Sequence, residues 1–320
     1  MPNWLIEFEH RFGLGGVILF DYNCQTRTYE NNIYSPEQVR SLCTELAQFS
    51  SKPLLFVDQE GGKVRRLKEQ LGFAPLPSQF SFNKLSEGER RSIVIRSFKE
   101  LRQLGFHINL APVVDLNINP DNPDIGKVER SYSNNPEEIR TNVTILNSVA
   151  ERVNLGLCVK HFPGLGGAEV NSHTELTDLS STLNEVQLNL LYELGQSIIG
   201  QSVLVSHGFV RQWDDSIPVS MSSESLRRLR DKIPNALLIS DDLQMGALKR
   251  KYTTSVASKR GIQAGLDMVI IGNNLLPEDE HVLECAQSLE QETFVDSTFR
   301  ERVQNAISHV LPRKKQFIRL

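Results

Sequence analysis

The sequence has 320 residues, of which 39% are hydrophobic and 23% are charged, as is usual for a globular protein. Its formal net charge of −4 argues against nucleic acid or an anionic membrane as the main partner, and we expect neither. Since α/β barrels of this length commonly form one unit, we interpret residues 1–320 as a single domain.

The cysteines and the amino-terminal residues predict a cytoplasmic protein. The first residues, Met1–Trp4, contain neither the basic nor the apolar region of a signal peptide. No apolar run approaches the roughly 18 residues of a membrane-spanning helix. The four cysteines are scattered and form neither a CxxC pair nor a disulfide framework: Cys24, Cys43, Cys158 and Cys285.

Seven short apolar runs recur along the chain and predict β-strands. They are rich in Val, Ile, Leu and Phe and do not alternate with polar residues, which is typical of parallel strands buried on both faces. In chain order they are Gly16–Phe20, Pro53–Asp58, Phe106–Asp115, Leu157–His161, Ser202–His207, Ala236–Asp241 and Asp267–Gly272.

The segments between these runs carry helix signals. Capping-box spacing occurs at Ser86–Glu89 and at Thr182–Glu185. Asn135–Glu138 combines an N-cap residue, a proline at the first helical position and acidic residues in the first turn. Gly265 lies where a helix over Thr254–Ala264 is expected to end. This alternation of strands and helices predicts a parallel sheet.

Polar residues stand at the carboxyl ends of five predicted strands and favour one α/β architecture. Polar groups from many strands at one rim suit a TIM (β/α)8-type barrel better than a doubly wound sheet, whose site lies at one switch point. These residues are Asp58, Asp115, Lys160–His161, His207 and Asp241. Since only seven strands are predicted, the eighth is missing or weakly encoded.

Two of these strand ends carry carboxylates suited to binding or chemistry. Asp58 begins a segment in which Gly61 and Gly62 would let a ligand approach the backbone, and its carboxylate can accept hydrogen bonds from sugar hydroxyls. The alternative is a tight turn with an exposed acid. Asp241 follows a buried run, so its carboxylate could attack an electrophilic carbon, whereas the neighbouring Asp242 could be structural or cap the next helix.

The third candidate segment begins with Lys160 and His161, which offer a cation and a hydrogen-bond donor to a polar ligand. A proline and three glycines follow, and we expect a mobile loop that carries His173. The histidine could act as an acid or base, although a lone loop histidine is more often merely solvated. Arg130, after a loop rich in proline and asparagine, could bind a ligand or lie on the surface.

Six motifs occur in an order that resembles glycoside hydrolase family 3. The resemblance is to its bacterial single-domain β-N-acetylglucosaminidases of cell-wall recycling and spans about Gly15 to Leu311. It implies a TIM barrel and a retaining mechanism. The motifs are Asp58–Gly62, Asn109–Asp115, Arg130–Ser133, Lys160–Gly164, Ser172–His173 and Ser240–Met245.

The resemblance also implies roles for individual residues. Asp241 would be the nucleophile, and His173 would replace the second carboxylate that most retaining glycosidases use as acid/base. Five residues would hold N-acetylglucosamine in a muropeptide or chitooligosaccharide: Asp58, Arg66, Arg130, Lys160 and His161. The resemblance implies neither a metal nor an organic cofactor, and it leaves the leaving sugar and the oligomeric state, monomer or otherwise, open.

The chain departs from this family pattern at two places. Asn171 stands where relatives usually have an aspartate that orients the loop histidine and stabilises its charge. The start of the sequence lies close to a predicted helix over Asn3–Arg11, where relatives first have a strand, so either the true start lies upstream or the barrel lacks or truncates its first strand. We expect such an open edge to be covered by a partner, or else to make the protein poorly soluble.

These departures keep other functions open. The asparagine could mean weak activity, a different residue that orients the histidine, such as Glu169 or Glu175, or a changed reaction, and it motivates the alternative of a sugar-binding pseudoenzyme with little or no activity. Transfer of the sugar to phosphate instead of water is a further possibility within the family. A metallohydrolase with His161, His173, His207 and Asp241 as ligands is the least favoured alternative, because the paired histidines on an early strand that such sites often use are absent from the sequence.

Overall fold

A computed structural model describes residues 1–24, 26–29, 31–170, 176–215, 217–274 and 279–318. Asn171 and His173, two residues on which the sequence-based mechanism depends, therefore lie outside the described residues. None of the described helices combines the length and the hydropathy that a membrane span requires.

The described residues form a parallel sheet of seven strands that follow one another in chain order around the molecule. Each predicted run overlaps one strand, so these seven predictions are confirmed. The strands are β1 (Gly16–Leu19), β2 (Leu54–Val57), β5 (Ile108–Asn109), β6 (Gly156–Phe162), β7 (Ser202–Val205), β8 (Leu237–Asp242) and β9 (Met268–Ile270). A small antiparallel hairpin of β3 (Gln59–Gly61) and β4 (Val64–Arg65) follows β2.

Helices connect the strands, as the alternating pattern predicted. The α-helices are α1 (Asn3–Phe12), α2 (Pro36–Leu46), α3 (Gln79–Asn83), α4 (Glu87–Leu104), α5 (Pro136–Val153), α6 (Glu185–Ser197), α7 (Ser223–Lys232), α8 (Gly246–Lys249), α9 (Thr254–Ala264), α10 (Asp279–Val295) and α11 (Ser297–Phe317). Short 3-10 helices occur at Glu69–Leu71 and Val219–Met221.

Three of the predicted helix boundaries are confirmed and one is wrong. Ser86 and Glu89 form a capping box, Asn135 caps α5, and Gly265 ends α9. The N-cap of α6 is Asn184, not Thr182, because the Asn184 side chain accepts hydrogen bonds from the first-turn amides of the helix. Asparagine and threonine both favour this position, so the spacing to Glu185 was a weak guide.

The third predicted strand is also shorter than expected. The run Phe106–Asp115 contributes only the two-residue β5 and a single bridge between Val113 and Lys160. Pro112 lies between them and has no N–H to donate to a ladder, which explains the interruption. The chain still follows β6, because the Lys160 amide donates to the Pro112 carbonyl and the Lys160 carbonyl accepts from Val114.

The sheet is curled, since side chains from five of its strands meet in one interior cluster. The members are Leu54, Phe56, Ile108, Leu110, Cys158, Leu204, Leu237 and Ile239, joined by Phe317. A larger cluster fills the space between the sheet and the helices. Burial of these two layers on either face of the strands accounts for their unbroken apolar sequences.

The carboxyl-terminal part of α11 closes the bottom of the curled sheet. Phe317 is 1% exposed and contacts the interior cluster. Buried Arg313 donates to the carbonyl of Gly200 at 2.8 Å and to that of Asn235. Lys314 donates to the carbonyls of Leu14 and Ser51, at 2.9 and 2.8 Å. These bonds satisfy carbonyls at the amino-terminal ends of four strands.

Among the described residues, β1 and β9 each pair with one neighbour and leave the barrel open between them. Their residues are mostly half-buried, whereas β2, β6 and β7 are fully buried. A largely apolar cavity of about 940 Å³ lies along this gap, with α1, α10 and α11 on its outer side. At its upper end, Asn31 donates to Asn274 at 3.1 Å and joins the loops that follow β1 and β9.

Candidate active site

The carboxyl ends of the parallel strands bring several of the predicted residues together. Asp58 follows β2 directly, Lys160 and His161 belong to β6, and Asp241 belongs to β8. The hairpin β3–β4 folds back over this rim and supplies Glu60 and, just beyond it, Arg66. Parallel strands place their carboxyl ends on one side of the sheet, which is why residues so distant in sequence meet here.

Lys160 lies between two carboxylates. Its ammonium is 2.8 Å from Asp58 Oδ1 and 2.6 Å from Glu60 Oε1, and its side chain is only 3% exposed. Burial disfavours the charge, but the two carboxylates outweigh it and raise the pKa of Lys160 above its usual value. The lysine is therefore a fixed cation, which agrees with the expectation that a buried lysine at a strand end needs an acidic partner.

Glu60 links Lys160 to Arg130. Its carboxylate, with a side chain 1% exposed, accepts from Arg130 Nε at 2.8 Å and Nη2 at 2.9 Å in a bidentate pair. Burial would raise the pKa of Glu60, yet Arg130 and then Lys160 hold it well below the usual range. Burial likewise opposes the charge of Arg130, while Glu60, Asp115 and Asp241 raise its pKa.

Arg130 also fixes the tautomer of His161. Its Nη2 lies 3.0 Å from His161 Nε2, and Asp115 Oδ2 lies 2.7 Å from His161 Nδ1. An arginine can only donate, so the geometry favours a neutral ring in which Nε2 accepts from Arg130 and Nδ1–H donates to Asp115. The ring is thereby held rigidly at the rim, and Arg130 lies within this largely buried cluster, not on the surface.

Arg66 completes the cluster on the side of Asp58. Its Nη2 lies 3.4 Å from Asp58 Oδ2, and its side chain is 25% exposed. Buried Gln59 accepts from the backbone amides of Arg66 and Leu67, both at 3.0 Å, and so fixes the course of the chain here. The five predicted sugar-holding residues thus form one connected group, in which the charges alternate from Arg66 to Arg130 and neutral His161 is the last member: Arg66, Asp58, Lys160, Arg130 and His161, with Glu60 between Lys160 and Arg130.

The two adjacent carboxylates after Ser240 have different surroundings. Asp241 Oδ1 accepts from the Asp242 amide at 2.8 Å, and its charge is close enough to raise the pKa of Arg130. Asp242 Oδ1 accepts from the amides of Gln244 and Gly272, both at 3.0 Å, and joins the end of β8 to the end of β9. Asp241 therefore faces the charged cluster, while Asp242 stabilises the local backbone.

The first half of the glycine-rich loop is buried. Asp115 Oδ1 accepts from the Leu165 amide at 2.7 Å, and Asn122 donates to the Leu165 carbonyl at 2.6 Å. A Cβ on Gly166 would lie 1.7 Å from the Leu116 carbonyl oxygen, and one on Gly164 equally close to the Gln187 amide. Close packing therefore requires these two glycines. The second half, with Asn171 and His173, lies outside the described residues.

His207, which the metallohydrolase hypothesis also used, has both ring nitrogens engaged. Nε2 lies 3.1 Å from the Asp242 carbonyl and must donate to it, so Nδ1 accepts from Ser220 Oγ at 2.8 Å. Within the described residues, no group of three or more His, Cys, Asp or Glu side chains is arranged to hold a metal ion.

Two central residues, Glu60 and Asp115, are not among the predicted site residues. Both lie within motifs of the family pattern, and Asp115 also ends a predicted strand, but neither has a predicted role. The spacing Asp58–Glu60, two acids on either side of Gln59 after a buried strand, was the available signal for Glu60. The arrangement as a whole offers a polar ligand fixed donors and acceptors beside a carboxylate, Asp241, that could react with it.

Comparisons with known proteins agree with this geometry. A family model described as "Glycosyl hydrolase family 3 N terminal domain" matches residues 8–311. A protein named Beta-hexosaminidase from Idiomarina loihiensis is 29% identical over 272 residues, which cover 82% of this chain and 77% of that protein.

Solved structures share the fold. A fungal multi-domain GH3 β-N-acetylglucosaminidase has a TM-score of 0.86 at 27% identity; the match covers 99% of this chain but 37% of that one, so the chain spans little more than a third of it. A β-N-acetylhexosaminidase from Beutenbergia cavernae has a TM-score of 0.83 at 21% identity and is covered to 93%, against 98% of this chain. The expected barrel-type α/β fold is confirmed.

Proposed function

The chain belongs to glycosyl hydrolase family 3, and from this membership we propose that it is a retaining exo-β-N-acetylglucosaminidase. The observation that carries the proposal is the connected cluster of Asp58, Lys160, Glu60, Arg130 and His161 beside Asp241. Such a cluster presents fixed donors and acceptors to sugar hydroxyls and an acetamido group, next to a carboxylate suited to attack on carbon.

The proposed reaction has two steps. First, an Asp241 oxygen bonds to the anomeric carbon while the bond to the leaving oxygen breaks, and protonated His173 gives its proton to that oxygen. Second, water bonds to the anomeric carbon, the ester to Asp241 breaks, and neutral His173 accepts the proton of the water. The role of His173 rests on its place in the motif sequence Lys160–His173.

We infer a substrate that ends in β-linked N-acetylglucosamine, either a cell-wall muropeptide fragment or a chitooligosaccharide. The name of the Idiomarina loihiensis relative, Beta-hexosaminidase, supports the sugar class. A muropeptide substrate and a cytoplasmic location are parts of the same proposal. Release of a monosaccharide from a purified muropeptide, followed by mass spectrometry, tests this choice.

A chromogenic β-N-acetylglucosaminide tests the proposed activity. We expect the wild type to release the chromophore and Asp241→Asn to lose roughly a thousandfold or more in kcat, because the amide cannot form the glycosyl ester. Asp231→Asn is the matched control, since this exposed carboxylate on α7 pairs with Arg227 at the surface. Full activity in the Asp241 variant would reject the proposed nucleophile, and added phosphate would reveal transfer to phosphate.

Asn171 favours a second candidate, a protein that binds N-acetylglucosamine with little or no turnover. Asparagine can accept a hydrogen bond from an imidazole but has no charge to stabilise an imidazolium. Calorimetry would then detect sugar binding by a wild type that releases no chromophore. A large gain of activity in Asn171→Asp would show that the asparagine limits catalysis, whereas an active wild type would exclude the pseudoenzyme.

A further inference from the structure

Asp21 is a buried carboxylate at the end of β1, outside the group of residues expected to hold the sugar. Its side chain is 1% exposed. Its Oδ1 lies 3.7 Å from Arg66 Nη1, and its Oδ2 is in close contact with the ammonium of Lys68. A buried carboxylate is costly unless cations compensate its charge, so the pairing with Arg66 and Lys68 is a requirement of this site.

The loop that carries Asp21 also offers two aromatic rings to the same cations. The guanidinium of Arg66 lies over the ring of Phe20, at 5.1 Å from its centroid. The ammonium of Lys68 lies over the ring of Tyr29 at 3.3 Å. Such contacts are attractive because the ring face is electron-rich. One carboxylate and two rings from the segment after β1 therefore hold two cations from the segment after β4.

The position of Arg66 matters because of its other contact. Its Nη2 lies 3.4 Å from Asp58 Oδ2 and its Nη1 lies 3.7 Å from Asp21 Oδ1, so neither carboxylate alone would fix a side chain that is 25% exposed, and the two act together. Asp58 in turn is fixed on its other oxygen by Lys160. Loss of the charge on Asp21 would leave Arg66 and Lys68 as neighbouring cations with no negative charge between them. Their repulsion would then displace the guanidinium of Arg66, which is the more exposed of the two groups.

We propose that Asp21 is a positioning residue for sugar binding, because it holds the guanidinium of Arg66 against Asp58. The inference rests on the proposed function, in which Arg66 and Asp58 contact the sugar. Asp21 itself does not touch the sugar and acts through Arg66. The connected group of charged residues at the rim therefore extends beyond Arg66 to Asp21. It begins at the end of β1, one strand earlier than the sugar-holding residues, of which the first follows β2.

Steady-state kinetics with the chromogenic β-N-acetylglucosaminide tests this role. We expect Asp21→Asn to raise KM about five- to tenfold and to change kcat less than about twofold, because Arg66 would bind the ground state and the transition state alike. Asp231→Asn makes the same chemical change at the surface and should leave both constants unchanged. An unchanged KM in folded Asp21→Asn would overturn the proposal.

Two double variants separate positioning from simple charge balance. If Asp21 acts through Arg66, its substitution should have no further effect on KM in an Arg66→Met background. If it merely neutralises Lys68, the effect should instead disappear in a Lys68→Met background and persist in Arg66→Met. The second pattern, or an equal loss in all backgrounds, would overturn the proposal.

Urea unfolding of the same variants is independent of catalysis. We expect the midpoint shifts of Asp21→Asn and Arg66→Met to be non-additive in the double variant, which would show that the two side chains interact. Additive shifts would overturn the proposal. An inactive wild type that shows non-additive shifts would reject the proposed hydrolysis but support the contact, and binding of N-acetylglucosamine measured by calorimetry would then replace KM.

Discussion

At the scale of single residues, Glu60 stands out because it neutralises two buried cations at once. The bidentate pair with Arg130 and the contact with Lys160 leave its carboxylate almost entirely engaged. A buried ion pair adds little over an apolar pair, but removal of one partner leaves an uncompensated charge. Here it would leave two cations side by side, so the consequence should exceed that of an ordinary surface pair.

We predict that Glu60→Gln lowers the free energy of unfolding by about 3–5 kcal/mol, the usual cost of breaking a buried pair. Glu193→Gln is the matched control, because this exposed carboxylate pairs with Arg140 and should change stability by less than about 1 kcal/mol. Urea unfolding at neutral pH measures both. Equal effects of the two substitutions would contradict the buried network.

His107 gives the stability of the protein a specific dependence on pH. Its Nδ1 accepts from the Leu55 amide at 3.0 Å, and burial, with a smaller effect of Arg102, lowers its pKa from 6.5 to about 4. The unfolded chain thus binds a proton below pH 6.5 that the folded protein does not take up until about pH 4. The stabilisation is complete above pH 6.5 and is lost as the pH falls between these values.

We predict that His107→Gln removes part of the fall in stability between pH 6.5 and 4, up to about 3 kcal/mol. Glutamine can still accept a hydrogen bond but does not titrate. Urea unfolding at several pH values measures the slope, and His10→Gln, on the exposed surface of α1, controls for the loss of a histidine. A slope unchanged by His107→Gln would rule out this residue as its source.

The sequence predicted which residue types line the site but not all of their contacts. Asp58, Lys160, His161 and Asp241 could be located because each ends an apolar run. Glu60 is central because it pairs with Arg130, which is 70 residues away in the sequence. Arg130 lies on a loop, and no local sequence pattern specifies the course of that loop. Pairing between distant charges is a property of the folded chain, and one sequence contains no direct signal for it.

At the scale of secondary-structure elements, the end of α11 covers the amino-terminal ends of the strands and closes that side of the curled sheet. Phe317 enters the interior cluster, while Arg313 and Lys314 bind carbonyls below the strands. A short run of basic residues such as Arg313–Lys315 predicts a solvated end. That prediction is wrong for Arg313, which is buried because its guanidinium binds carbonyls below the strands.

We predict that Phe317→Ala lowers the free energy of unfolding by about 3–5 kcal/mol, through loss of buried area and formation of a cavity. Ile307→Ala, on the exposed face of the same helix, should cost less than about 1 kcal/mol. Thermal and urea unfolding compare the two. A similar cost for both would mean that Phe317 does not contribute to the interior.

The strands were easier to predict than their lengths. Runs of apolar residues identified all seven, because the central strands are buried on both faces and even the edge strands β1 and β9 are half-buried. The length of the third strand was overestimated because apolar residues continue as far as Val114, while Pro112 interrupts the hydrogen bonding. At α6, two residues with similar capping preference lay near the start, and only the side-chain geometry of Asn184 separates them.

At the scale of the whole molecule, the barrel is asymmetric. Among the described residues, β2, β5, β6, β7 and β8 each pair with two neighbours, whereas β1 and β9 face the largely apolar cavity with one partner each. Edge strands with free backbone groups open more readily than central ones. The lack of an eighth strand between β1 and β9 among the described residues should therefore make these two strands locally less stable than the central ones.

We predict that native-state hydrogen exchange follows this asymmetry. Amides of β6 and β7 should be protected almost to the global free energy of unfolding, while those of β1 and β9 should exchange by local opening at lower cost. Mass spectrometry of labelled peptides measures both sets in one experiment, so that the central strands are the internal control. Equal protection of all seven strands would indicate that the gap is closed in solution.

The contact of Lys314 with the Leu14 carbonyl has a consequence for the biosynthesis of the protein. The two residues are 300 positions apart. At a translation rate of about 5–20 residues per second, the support beneath β1 is made about 15–60 seconds after the strand itself. Throughout that interval the first apolar strands of the nascent chain lack the contacts with α11 that cover their amino-terminal ends in the folded protein. Chaperones that bind exposed apolar segments should therefore associate with the nascent chain until α11 has emerged from the ribosome.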